Sequence, residues 1–263
     1  MSFNRLTIAT ALLAVVAVGV VPLASASAGP SRSATWYRVT MEMSTTRAVA
    51  HEDTVTLTGT VSPAAPGTEV KVQVRYEGQA TWRKAGSAKV KNNSTYTFSF
   101  TPTTRQDRAY RVVKPADDHA RADKSRERTL QTIGWVWMSS LTPSRTEDVA
   151  TISTMPINGE DYAHTLYTGV DTTTGFVEYT LGRHAYELQA TYGLSDRTEP
   201  GGRGTLAVTT DGVPSFSQTF DLGQSVLETT NVTDAYRIRI DFTQIADTAV
   251  TEPSAGAARV LMD

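Results

Sequence analysis

The sequence contains no cysteine. That excludes a disulfide scaffold, a thiolate zinc site, a cysteine nucleophile and lipid attachment through an N-terminal cysteine. Histidine is scarce, with His51, His119, His164 and His184 the only four, and lysine is absent after Lys124. No HExxH string or closely spaced histidine pair offers a zinc site, and no Gly-x-Ser-x-Gly turn offers a hydrolase nucleophile. Charged residues make up 20% of the chain, too few for a disordered polyelectrolyte. Long apolar runs are missing too, except at the N-terminus.

That exception reads as an export signal. Arg5 precedes the apolar stretch Leu6–Val21, Pro22 ends it, and Ala24-Ser-Ala26 and Ala26-Ser-Ala28 offer the small residues that a signal peptidase reads. Sixteen residues fall short of the ~20 needed to span a bilayer. The expectation is therefore a cleaved signal over residues 1–28, and a secreted product that stays extracellular or attaches to the cell wall. No second apolar run follows, so no membrane span is expected after cleavage. An exported chain without disulfides fits a bacterial origin.

What remains divides by charge. Residues 31–132 hold 17 Lys/Arg against 10 Asp/Glu, whereas residues 133–263 hold 7 Arg against 17 Asp/Glu. The step predicts two separately composed domains, 31–132 and 133–263. The asymmetry reads either as two solvated surfaces or as a basic face for an anionic partner.

Both halves alternate apolar and polar residues at the period of a half-buried strand. Val55, Leu57 and Val61 share a face, as do Val70, Val72 and Val74, then Tyr96, Phe98 and Phe100, then Tyr110 and Val112. Pro66-Gly67, Gly78 and Asn92-Asn93 punctuate turns. Trp82 is the expected core aromatic, and Tyr110 the tyrosine that pins its strand by a phenolic hydrogen bond. In the second half Val177, Tyr179 and Leu181 repeat the pattern, followed by Leu188, Ala190 and Tyr192, then Ile238, Ile240 and Phe242. Tyr179, Tyr186, Tyr192 and Tyr236 all lie on apolar faces and are assigned to the core. The fold class is all-β, with two sandwiches in tandem.

Two resemblances sharpen this. Gly59-Thr-Val-Ser-Pro63, Pro66-Gly67-Thr-Glu-Val70, Trp82 and Tyr110-Arg-Val112 resemble the bacterial immunoglobulin-like modules of exported proteins. Over residues 135–263, an ordered set of short motifs resembles the novel putative carbohydrate-binding module (NPCBM) family. The set comprises Ile157-Asn-Gly159, Tyr162-Ala-His164, Val177-Glu-Tyr-Thr-Leu181-Gly182, Gly193-Leu-Ser-Asp196, Asp211-Gly212, Tyr236-Arg-Ile238 and Gly256-Ala-Ala-Arg-Val260. The resemblances imply an immunoglobulin-like sandwich followed by a jelly-roll β-sandwich, and binding of a polysaccharide or other glycan. Members of that family commonly carry an acidic residue where this chain has Ala257.

Sugar recognition needs an apolar ring face, with planar polar groups aimed at hydroxyls. Tyr162 and His164, two apart on an extended strand, are the expected centre, with Tyr167, Arg183, Asp196 and Arg197 as loop neighbours. Tyr162 fits the core equally well. Jelly rolls of this kind imply a structural calcium, which Asp196 would serve; Asp196 would equally cap a turn through its own side chain. No other cofactor or metal is expected. No catalytic residue stands out, and no facing carboxylate pair marks a glycoside hydrolase.

Non-catalytic glycan binding is thus the leading function. An adhesive protein that holds a protein or an anionic wall polymer through Lys71, Arg75, Arg83, Lys84, Lys89 and Lys91 is the alternative. A glycoside hydrolase-related accessory enzyme ranks last. Nucleic acid is not expected, because that stretch has few aromatics for base stacking.

Overall fold

Period-two patterning becomes extended strand along much of the described chain. The computed structural model describes residues 35–169, 171–245 and 249–263. The export signal expected over 1–28 lies outside them. Among the described residues the structure is nearly all β, broken by a single helical turn at Met138–Ser140.

In the first half, strand Val55–Ser62 pairs with Thr95–Phe100 and with the short pieces Arg38–Val39 and Glu42–Met43. Strand Glu69–Tyr76 pairs with Arg83–Lys89 and Arg108–Lys114 in a second sheet. Val55, Leu57 and Val61 meet Val70, Val72 and Val112 in one core, with Tyr37, Tyr96 and Tyr110 among them. Burying such side chains supplies the main folding drive, roughly 1.5–3 kcal/mol each.

Two aromatic expectations fail here. Trp82 is not a core residue; it is half-buried on the outer face, with the guanidinium groups of Arg75 and Arg111 over its ring at 4.9 and 4.1 Å. An indole between two arginines keeps its apolar ring covered without entering the core. The expected pinning bond comes from Tyr96, whose hydroxyl donates to the main-chain oxygen of Thr40. Burial raises the Tyr96 hydroxyl far above its ordinary titration range.

The second half is a sandwich of two antiparallel layers. One layer runs Arg145–Glu147, Thr174–Thr180, Arg237–Gln244, Arg203–Thr210, Val213–Asp221. In the other, Pro253–Met262 is central. It pairs with Ala185–Leu194, which in turn pairs with Ser225–Asn231, and with the hairpin Val149–Ile157/Glu160–Thr168. Leu188, Ala190, Tyr192 and Val260 face Val177, Leu206, Ile238, Ile240 and Phe242 across the core.

Two tyrosines depart from that core. Tyr186 sits at a register shift between Ala185 and Glu187, and its ring lies under the Arg47 guanidinium at 4.4 Å. Tyr236 precedes its strand in a turn and is 53% exposed. In both cases an irregular backbone overrides the alternation.

The halves share one strand, Arg128–Trp137. Its first residues pair with Arg108–Tyr110, its middle runs parallel to Arg47–Val49, and its last four pair with Arg259–Met262. Leu130 packs in the first core and Val136 against the second. The charge step at residue 132 falls inside this strand. Thr35–Asp263 accordingly forms one compact unit.

Candidate functional site

The shared strand turns Val136 toward the core, so Trp135 and Trp137 point outward from the opposite face. Trp137 is 36% exposed, and its ring stacks on His164 with centroids 4.6 Å apart and planes 20° off parallel. Ser139 Oγ lies 3.1 Å from His164 Nδ1. This is the serine neighbour that the sequence did not reveal, but the described hydrogen bonds of the ring include no orienting carboxylate. Arg259 stands opposite Trp137 in register and lays its guanidinium over Trp135 at 4.3 Å.

Cross-strand neighbours extend this row. Arg259 Nε and Nη2 donate to Gln189 Oε1 at 3.0 and 2.7 Å, and Gln189 Nε2 donates to Thr229 Oγ1 at 3.0 Å. Aromatic rings, a guanidinium, an amide and a hydroxyl thus follow one another across four strands. That combination can stack on a sugar ring and hydrogen-bond its hydroxyls.

His164 reaches Trp137 because its backbone is left-handed, with φ 54°, and Ala257 beside it has φ 49°. Pairing between Glu160–Thr168 and the C-terminal strand is confined to Leu166–Ala255 and Tyr167–Ser254. Beyond it the hairpin crosses the sheet, over two glycines. A Cβ on Gly256 would fall 2.6 Å from Tyr162 Cβ, and one on Gly193 would fall 2.8 Å from Ile157 Cγ2. Asp196 Oδ2 accepts the Gly159 N–H at 2.9 Å and holds the hairpin tip.

The six expected site residues are therefore only partly gathered. His164 belongs to the tryptophan surface. Tyr162 packs half-buried on Gly256, and Tyr167 lies in the paired end of its strand, opposite Ala150 and Ser254. Asp196 and Arg197 are exposed at the hairpin tip. Arg183 precedes strand Ala185–Leu194 at the other end, about 30 Å from Asp196 at the usual rise per residue. It lies near Asp211, whose carboxyl is held below its usual range first by the N–H groups of Tyr236 and Arg237.

Trp135, Trp137, Gln189 and Arg259 were missed. The legible signal was Trp135-Val-Trp137, two large rings on the outward side of a strand whose inward residue is apolar.

Beyond Trp135 the row opens into a groove of about 410 Å³ where the two sandwiches meet, lined by His51, Glu52, Arg105, Gly134, Trp135 and Arg259 among others. Elsewhere, among the described residues, no group of three or more His, Cys, Asp or Glu gathers as a metal cluster. One carboxylate nevertheless stands out. Glu252 is 5% exposed and its Oε2 has no hydrogen-bond partner, while its N–H donates to Thr198 Oγ1 at 3.1 Å. A buried carboxylate oxygen without a partner is costly, and an oxygen-liganded cation such as calcium would satisfy it.

No protein-family model matches the sequence, and no curated protein is similar to it at a significant level. The chain is similar to several solved structures at low identity. One is the carbohydrate-binding module CBM51 from Clostridium perfringens GH95, in complex with methyl-galactose. It is 13% identical with a TM-score of 0.41, over 48% of this chain and 99% of that one. A second is the M60 catalytic domain with two CBM51 domains from Clostridium perfringens ZmpB. It is 10% identical with a TM-score of 0.43, over 86% of this chain and 31% of that one. The third is the tandem CBM22 domain from Paenibacillus barcinonensis Xyn10C. It is 8% identical with a TM-score of 0.27, over 87% and 94% of the two chains.

Proposed function

We propose that this protein binds an extracellular glycan through the Trp137 surface, as a secreted, non-catalytic module of the NPCBM type behind an immunoglobulin-like domain. The observation that carries the proposal is the exposed Trp137–His164 stack, flanked by the ordered Trp135–Arg259–Gln189–Thr229 row. Folding leaves an indole half in water and surrounds it with oriented polar groups. The likeness to solved carbohydrate-binding modules is too distant to carry weight beside it.

The test is a glycan array followed by calorimetric titration with the full mature chain. Trp137→Ala should weaken binding by about tenfold or more, as loss of a stacking face implies. Undiminished binding would move the site elsewhere.

A structural calcium in this reading belongs to Glu252 rather than Asp196, whose carboxylate the hairpin tip already uses.

A second reading, adhesion to an anionic wall polymer, draws on the first half. Arg75 and Arg111 flank Trp82 there, and Lys84 pairs with Gln73 in the same sheet. Binding through that face should fall steeply with salt and be lost in Arg75→Gln/Arg111→Gln.

A further inference from the structure

The C-terminal half carries seven arginines among seventeen acidic residues. Arg203, Arg237 and Arg239 each have a carboxylate partner, at 2.8, 3.7 and 2.7 Å. Arg259 has none among the described ion pairs. Its contacts are neutral: the Gln189 amide oxygen takes two of its five N–H donors, and the Trp135 ring covers its face. A half-buried guanidinium has thus been fixed in place without being neutralised, in the half of the chain richest in acids.

Arg105 approaches the same groove from the other sandwich. Its stem lies across Gly134, where an added Cβ would come within 2.8 Å of Arg105 Cγ, and its guanidinium donates to the main-chain oxygen of Asp263 at 3.2 Å. It too has no side-chain carboxylate partner among the described ion pairs. Two arginines from different sandwiches therefore line one groove of about 410 Å³, with the Trp135 indole as a wall. Glu52 also lines it, so two cationic side chains face one acidic one there. His51, exposed, is the remaining titratable group there.

We propose that this groove takes the carboxylate of a uronic-acid residue, within a glycan whose neighbouring ring lies against Trp137. The proposal rests on the glycan-binding reading and adds to it a substrate class and a contribution from the first sandwich. Guanidinium forks match planar carboxylates, and the Trp135 ring holds the Arg259 fork in a fixed orientation.

The experiment titrates the full chain with oligogalacturonate, with the same oligosaccharide after its carboxyl groups are reduced to alcohols, and with a glycerol-phosphate polymer, at one ionic strength. Oligogalacturonate should bind about tenfold or more tightly than its reduced form, the scale of a charge-assisted pair. Arg105→Gln, an exposed substitution with little folding liability, should erase most of that preference. Arg259→Lys should reduce it, and Arg203→Gln on the opposite sheet should leave it intact. Equal binding of the acidic and reduced forms would overturn the carboxylate assignment and leave neutral glycan binding standing. Preference for the phosphate polymer would overturn it in favour of a phosphodiester. Failure of a folded chain to bind any glycan on the array or in these titrations would sink both proposals.

Discussion

Asp117 shows how much one exposed carboxylate can organise. Its oxygens accept from Lys114 Nζ at 2.8 Å, from the Tyr37 hydroxyl at 2.6 Å and from the His119 and Ala120 N–H groups. The Lys114 ammonium is the largest reason that its carboxyl titrates far below the ordinary 3.8, and burial together with Asp117 pushes the Tyr37 hydroxyl up to about 12. Lys114 is only 3% exposed, so Asp117→Asn leaves a buried cation without its counter-charge. At neutral pH the variant should melt about 5 °C lower. Because the folded pKa lies below the unfolded one, the native contribution is fully present above the ordinary carboxylate value and is lost as pH falls from there through the much lower folded value. The gap between native and variant melting temperatures should therefore narrow below pH ~4; a constant gap would mean that the asparagine perturbs packing instead.

Single residues are also where sequence reading met its limits. Val70, Val72 and Tyr110 were legible because alternation alone fixes their face. Trp82 was not, since the arginines that cover it lie seven positions before and twenty-nine after it, and only strand pairing brings them together. His164 was grouped with Tyr162 because their two-residue spacing assumed extended backbone, whereas its own left-handed φ sends it to Trp137. At Asp196 one carboxylate oxygen accepts the Gly159 N–H, a partner 37 residues away that its own turn does not reveal.

Among elements, the hairpin Val149–Ile157/Glu160–Thr168 depends on bare backbone beneath it. Gly256→Ala would place a methyl group against Tyr162 and should cost about 1–3 kcal/mol of stability, measured by urea unfolding. A neutral result would show that the hairpin lifts freely. The turn carrying Glu252 makes a different demand. Treating the protein with EDTA should lower its melting temperature and added calcium should restore it, while Glu252→Gln should be insensitive to both. If EDTA has no effect on the native chain, Glu252 holds no cation. Neither feature was visible in the sequence, because a glycine within a strand and a glutamate near the C-terminus look ordinary until the opposing atoms are known.

For the molecule as a whole, the decisive element is the shared strand. Composition located the change in character near residue 132 but could not show that one strand carries the chain through it, since Leu130 and Val136 read alike as inward-facing residues. Arg47, Gln131 and Tyr186 lock the junction further: Gln131 accepts from Arg47 Nε at 2.8 Å and donates to the Tyr186 hydroxyl at 3.2 Å. Calorimetry of the full chain should show one cooperative transition rather than two. Two resolved peaks would show that each sandwich melts alone.

The shared strand also has a mechanical meaning. Residues 134–137 run antiparallel to 259–262, so tension drawn between the first sandwich and the C-terminal strand loads those four residue pairs along the strand direction. Bonds loaded in that direction share the force and must break together, unlike a hairpin peeled open one rung at a time. A protein built this way would pass a pull from one end to the other as a stiff tether, with no loose joint to stretch first.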